Sequence, residues 1–167
     1  MAILPEVSSK DDESKRVPPR VGHEAWAGRV RVPEVYLTRG TTITDTAKRA
    51  ITVDQINDLA AFAFHVLAEV KIVETNTRSS LYGLRLTADN VQMYSINDYF
   101  VKPLTLPHCC SFVDLVSTAE VQVPVWFVSH AWSTPFAQTM SMLEFHRKTR
   151  ELPPSTPYWI CTFAKKR

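Results

Sequence analysis

Apolar positions change their spacing several times along this chain, and each change predicts an element. From residue 123 to 128 they run almost without a break, through Val123, Val125, Trp126, Phe127 and Val128. Such a run predicts a strand covered on both faces. It stops at the polar, aromatic segment Ser129-His-Ala-Trp-Ser-Thr-Pro135. Thr134 then suits a helix N-cap and Pro135 the first helical position, where a missing N–H costs nothing. Phe136, Met140 and Leu143 mark a buried helix side, Glu144 and Lys148 form an i,i+4 pair, and Arg147, Lys148 and Arg150 complement the C-terminal dipole. Pro153, Pro154 and Pro157 end that helix, and residues 158–163 predict the next strand. Strand, helix and strand within about 40 residues predict a right-handed βαβ unit with parallel strands.

Upstream, Thr52 and Gln55 have capping-box spacing. Ile56, Leu59, Ala60, Ala63, Leu67 and Val70 follow at helical period, predicting a helix over residues 53–73. Phe62, Phe64 and Val66 widen its apolar surface, so it is expected to be covered on more than one side. His65 reads as a packed histidine. Residues 76–80 read as a loop and 81–86 as a short strand weakened by Gly83. Ser95 is expected to cap a short helix that Pro103 stops, and Ser111 with Asp114 to open one of about two turns ending near Ala119. Residues 8–16 are fully polar, and Pro18, Pro19 and Pro33 rule out long helices near them. The alternation over residues 29–37 predicts a short edge strand, with Trp26, Val30, Val32 and Tyr36 able to dock on the rest. The organisation expected is a disordered or loosely docked tail at 1–49, a helical region with a short strand at 50–120, and an incomplete α/β unit at 121–167.

Composition narrows the functional classes. An apolar content of 45% in 167 residues is globular, and a net charge of +2 lacks the concentrated basic face of a nucleic-acid binder. Lys165, Lys166 and Arg167 read as a solvated chain end. The first seven residues carry no lysine or arginine, so they do not read as a secretory signal, and no apolar run approaches the roughly 18 residues of a membrane span. Neither a nucleic-acid nor a membrane partner is expected. Cys109, Cys110 and Cys161 are odd in number and lack CxxC spacing, which predicts reduced thiols and a cytoplasmic protein without a metal.

Phe127-Val-Ser-His-Ala-Trp132 and Tyr158-Trp-Ile-Cys-Thr-Phe-Ala164 resemble the pattern of an uncharacterised protist and algal family, found above all in dinoflagellates. Tyr94-Ser-Ile-Asn-Asp-Tyr-Phe-Val-Lys-Pro-Leu-Thr105 and Cys110-Ser-Phe-Val-Asp-Leu-Val116 resemble the segments preceding it, so the resemblance covers residues 84–164. The strand and helix also resemble the start of a Toll/interleukin-receptor-type (TIR), flavodoxin-like domain. That resemblance implies a parallel α/β sheet and a role in homotypic protein interaction or signalling. It further implies an alternative, NAD cleavage by a glutamate on a later helix of a complete domain. Where the family continues past the alanine with an Asn-Asn-Gln-like run, this chain reads Lys165-Lys-Arg167. The departure predicts a truncated product, an incompletely predicted gene or a fragment completed by another chain, without catalysis of its own and, in the extreme, without an independent function.

At the first strand's carboxyl end, Ser129, His130, Trp132, Ser133 and Thr134 form the predicted ligand-binding set. Free N–H groups at the following helix start would favour an anion, and Trp132 would stack on a ring, together predicting a nucleotide. The competing expectation has Trp132 packed over the sheet edge and His130 bonded within its own loop. A thiol hydrolase is the rival chemistry. Cys161 inside an apolar strand would be unreactive, and the adjacency of His108, Cys109 and Cys110 is not a catalytic dyad. No cofactor is expected, and the partner predicted is a protein or a second copy of the chain.

Overall fold

The computed structural model describes residues 25–119 and 121–166. The expectations for the polar segment at 8–16 and for Pro18 and Pro19 lie outside these residues.

Residues 25–49, assigned to the tail by their sequence, contribute to the core. Trp26, Tyr36 and Ile43 are buried in the same apolar cluster as Phe62, Phe112 and Phe163. The Trp26 indole N–H donates to the Tyr99 carbonyl at 2.7 Å, and its ring meets Phe62 edge-on and Phe100 face-on. The expected edge strand over 29–37 is absent. Instead, Pro33 opens a 3₁₀ turn at Glu34–Tyr36, and a second 3₁₀ turn spans Thr46–Lys48. Curling the chain this way points Tyr36 inward while Val35 and Leu37 face solvent.

Strand β1 (Ile51–Thr52) leads into helix α1 (Val53–Glu69) through the expected capping box. The Gln55 N–H donates to Thr52 Oγ1 at 3.2 Å, and the Thr52 N–H to Gln55 Oε1 at 3.0 Å. Helix α1 ends at Glu69 rather than near residue 73, because Val70 is already extended. The β-branched run that follows favours that geometry. Phe62 meets Trp26 and Tyr36 while Phe64 meets Phe136, so α1 is covered on two sides. His65 is exposed, not packed. The strand expected at 81–86 is reduced to one antiparallel bridge, Val73 to Arg85, because turns fill residues 77–83. Gly83 takes φ +76° there, a conformation side chains resist.

Between residues 93 and 108 the chain stays helical through α2 (Met93–Ile96), a π-helical turn (Asn97–Val101), α3 (Lys102–Thr105) and a 3₁₀ turn (Leu106–His108). Pro103 does not stop this stretch. It sits in the first turn of α3, and the wider π turn before it absorbs the hydrogen-bond mismatch a proline creates. Ser95 is not a cap; it is buried and donates to the buried carboxylate of Glu74. Helix α4 (Phe112–Val116) opens on the expected Ser111–Asp114 box but ends at Val116, since Ser117 is extended.

The sheet has three short strands in the order β1-β3-β2, with β2 at Trp126–Phe127 and β3 at Pro157–Trp159. Strands β2 and β3 pair in parallel, Trp126 opposite Tyr158, with helix α5 (Phe136–Thr149) between them in sequence. Strand β1 pairs with β3 antiparallel, Ile51 opposite Tyr158. The architecture is broadly α/β, with a mixed sheet. Two expectations are corrected. The strand predicted over 158–163 is the central one of the sheet, and it stops at Trp159 because Cys161–Ala164 curls into a helical turn, α6. Nor is the 123–128 run covered on both faces: Val121, Val123, Val125 and Phe127 are exposed in alternation, Phe127 by 69%. Tyr158, on the face toward α5, is fully buried.

Candidate functional site

The segment 129–135 joins β2 to α5, and the sheet edge and helix start decide where its side chains go. Ser129 and Ser133 are exposed, whereas His130, Trp132 and Thr134 are half-buried. Thr134 is not the N-cap. Pro135 holds that position without a side-chain cap, and the Thr134 N–H is turned back to the Ala131 carbonyl at 3.1 Å. The expected cluster of free N–H groups is also missing. Phe136 N–H donates to the Val91 carbonyl at 2.7 Å, and the N–H groups of Gln138 and Thr139 go to Pro135. An antiparallel bridge from Gln92 to Pro135 seals this start further. An anion therefore gains little here.

Trp132 stacks with His130 at 5.8 Å between centroids and 28° between planes, and lies 5.1 Å from the Tyr94 ring. The Tyr94 N–H donates to the Trp132 carbonyl at 3.3 Å. His130 Nε2 lies 3.4 Å from the Thr162 hydroxyl. The structure thus gathers His130 and Trp132 with Tyr94 and Thr162, while Ser129 and Ser133 stay outside that cluster. Tyr94 and Thr162 escaped the sequence reading. Both fall inside the resembling segments, but nothing local in the sequence predicts that they meet at this edge. Burial pushes the His130 pKa below its usual value, and the nearby Val128 backbone opposes that shift. His130 Nδ1 is nevertheless buried without a hydrogen bond of normal geometry.

Behind this edge, a cavity of about 460 Å³ lies between β2, the connecting segment and α5. Val128, Met142 and Leu143 give it apolar walls; Ser129, His130, Thr134 and Thr139 give it a polar end. Trp132 and Ser133 do not line it. At the opposite end, His146 Nδ1 is 3.1 Å from the Tyr158 hydroxyl, and the Trp126 ring meets His146 edge-on at 4.8 Å. The Arg150 guanidinium lies 5.7 Å above the Trp126 ring, a cation–π contact. No aspartate, glutamate, lysine or arginine is among the residues lining the cavity.

The thiols stand apart from it. Cys109 is exposed in a left-handed conformation at φ 48°, Cys110 is buried, and Cys161 starts α6 rather than lying inside a strand. Burial raises the Cys110 pKa, with Arg39 opposing, which disfavours the thiolate. Among the described residues no group of three or more histidine, cysteine, aspartate or glutamate side chains is arranged to hold a metal ion. No helix among them is long and apolar enough to cross a membrane. Comparison of the chain with protein-family models, with curated proteins and with solved structures found no match.

Proposed function

We propose that this protein is a TIR-like, flavodoxin-type module that acts in signalling by binding a second copy of itself through the outer face and free edge of β2. One observation carries this reading: Val121, Val123, Val125 and Phe127 form an exposed apolar row along the segment that contains the outermost strand. Residues 121–128 contain no charged side chain, whereas edges that must stay single usually carry one. Phe127 and Trp159 meet at 5.7 Å on the same sheet face, extending the row into an aromatic patch. Two identical edges related by a two-fold axis pair in an antiparallel sense and bury the same row on both copies. The parallel β2–α5–β3 arrangement agrees with the fold that the sequence resemblance implies.

Sedimentation velocity of the purified chain tests the proposal. Across about 1 to 100 μM, the range in which weak homotypic contacts assemble, the sedimentation coefficient rises toward that of a dimer. Combining Val125→Lys with Phe127→Lys, both at exposed positions, holds the protein monomeric with an unchanged circular dichroism spectrum. A wild-type chain that stays monomeric throughout, or a double variant that associates equally well, contradicts the proposal. Binding is favoured over NAD cleavage because no carboxylate lines the cavity beside the resembling motif. NAD incubated with the 167-residue protein is expected to remain intact, and measurable turnover would overturn that choice.

A further inference from the structure

Pairing of two β2 edges fixes where the two α5 helices lie. The two-fold axis between antiparallel edges stands perpendicular to the sheet, so both copies keep the same face uppermost. Their outer rows then lie side by side, and only the adjoining flanks are covered. At the exposures of Val121, Val123, Val125 and Phe127, the whole row offers on the order of 400 Å² per copy, against roughly 800 Å² per partner in a stable interface. A further apolar surface is needed, and α5 carries one. Gln138, Met142, Phe145 and Thr149 are all exposed and recur every three or four residues, which makes them one face of the helix. Met142 is 61% exposed and Phe145 72%. None of the four is charged, whereas Glu144 and Arg147 lie on the side of α5 that shares a hollow with Val53 and Asp54 of α1.

Strand spacing sets the distance between the helices. His146 on α5 meets both Trp126 of β2 and Tyr158 of β3, so α5 runs over the β2–β3 pair. With strands about 4.8 Å apart, two helices so placed on either side of the axis stand about 10 Å apart. That is the ordinary interaxial distance of packed helices. We infer that the two copies also join through α5, Met142 and Phe145 of each helix packing against the same residues of the second copy across the axis. An uncharged face suits this symmetry, because a charge there would meet its own duplicate. The contact also covers the open side of the cavity, which Phe127 and Met142 border. It rests on the β2 pairing proposed above and adds a second element to that interface.

The test uses the full chain, with sedimentation velocity and ¹³C-methyl-methionine NMR over the same range of concentration. As the dimer forms, the Met142 methyl signal is expected to shift while that of buried Met93 holds its position. Met142→Lys and Phe145→Lys each enter the contact twice and set like charges against each other. Each should weaken the dimer about tenfold or more, with an unchanged circular dichroism spectrum. Phe145→Ala, which adds no charge, should weaken it in the same direction but less. His65→Lys, at an exposed position on α1, should leave the Kd within about twofold. A dimer that both lysine variants of α5 leave within about twofold of the wild type, or a Met142 methyl unmoved at full association, would overturn the α5 contact. If Val125→Lys with Phe127→Lys still abolishes that dimer, the β2 pairing stands without it. A wild-type chain that stays monomeric throughout removes both.

Discussion

Arg49 and Asp114 form an ion pair inside the core. Both are buried; Arg49 Nε lies 3.5 Å from Asp114 Oδ1 and donates to the Ile43 carbonyl at 2.7 Å. Arg49 Nη1 donates to the Ala164 carbonyl at 3.2 Å, and Asp114 accepts from the Ile43 N–H at 2.8 Å. One ion pair thus ties the N-terminal segment, α4 and the last helical turn together. Removing one partner strands the other charge in the core, so Asp114→Ala is expected to cost about 3–5 kcal/mol in urea unfolding. A loss below about 1 kcal/mol would show the site relaxing to admit water. Nothing in the sequence marks this pair, because the two residues are far apart and each is ordinary locally. The Ser111–Asp114 box was legible for the opposite reason: its partners are three residues apart.

Two pH responses also belong to single residues. The folded pKa of His130 lies below the ordinary value of 6.5, so the unfolded chain binds more protons as pH falls below 6.5. Stability should therefore decline as pH drops from 6.5 toward the folded pKa. Thermal unfolding across that window should show the decline in the wild type and a flatter profile in His130→Asn. Equal profiles would mean that His130 titrates alike in both states. Glu144 is held to about 2 chiefly by its bonds to the Arg147 guanidinium at 2.6 and 2.8 Å, with Lys148 at 3.4 Å adding to them. Its stabilisation is present above the usual 4.5 and is lost as pH falls toward about 2. NMR titration of the Glu144 carboxyl should find its midpoint near the lower value.

At the scale of elements, what was legible was whatever the chain decides within a few residues. The Thr52–Gln55 box, the start of α1, the buried side of α5 through Phe136 and Leu143, and its basic C-terminal turn could all be read from spacing. Thr52→Ala should destabilise the fold by about 1 kcal/mol, the usual cost of a lost N-cap, measured by urea denaturation. The failures share a cause, since tertiary contacts replaced local ones. Thr134 and Pro135 have the spacing of a cap and first helical residue, yet the Val91 carbonyl takes the first helical N–H and moves the cap to Pro135. Pro103 reads as a stop, but a π turn carries the helix past it. Gly40 gave no signal because its role depends on a distant carbonyl. A Cβ there would lie 2.4 Å from the Ser117 carbonyl oxygen and 2.8 Å from that of Leu115. The Gly40 N–H donates to Leu115, and the Thr41 N–H to Ser117 at 2.8 Å, so this backbone has little room to retreat. Gly40→Ala is expected to cost about 1–3 kcal/mol in the same assay, and an unchanged midpoint would show the loop yielding.

At the scale of the whole molecule, the parallel pairing of two strands across a covering helix was readable, but the sheet around it was not. Strand β1 is only two residues long, too short to give a period-2 signal, yet it makes β3 central and leaves β2 outermost. The run at 123–128 looks equally apolar at every position, so sequence alone could not separate Trp126 beside α5 from Phe127 in solvent. The candidate site divided in the same way. His130 and Trp132 were legible from their position at a strand end, whereas Tyr94, Thr162 and the His146–Tyr158 end of the cavity depend on distant segments. With α5 against the inner side of β2 and its outer row exposed, the sheet presents an open apolar face beside a lined cavity, and Phe127 borders both.

Hydrogen exchange followed by mass spectrometry on dilute and concentrated protein addresses the open face most directly, because it locates a contact as well as detecting one. Amides of residues 121–128 should gain protection as concentration rises while those of α1 stay unchanged. Protection that does not vary with concentration at 121–128, or that appears only on other segments, would contradict the role assigned to the β2 edge.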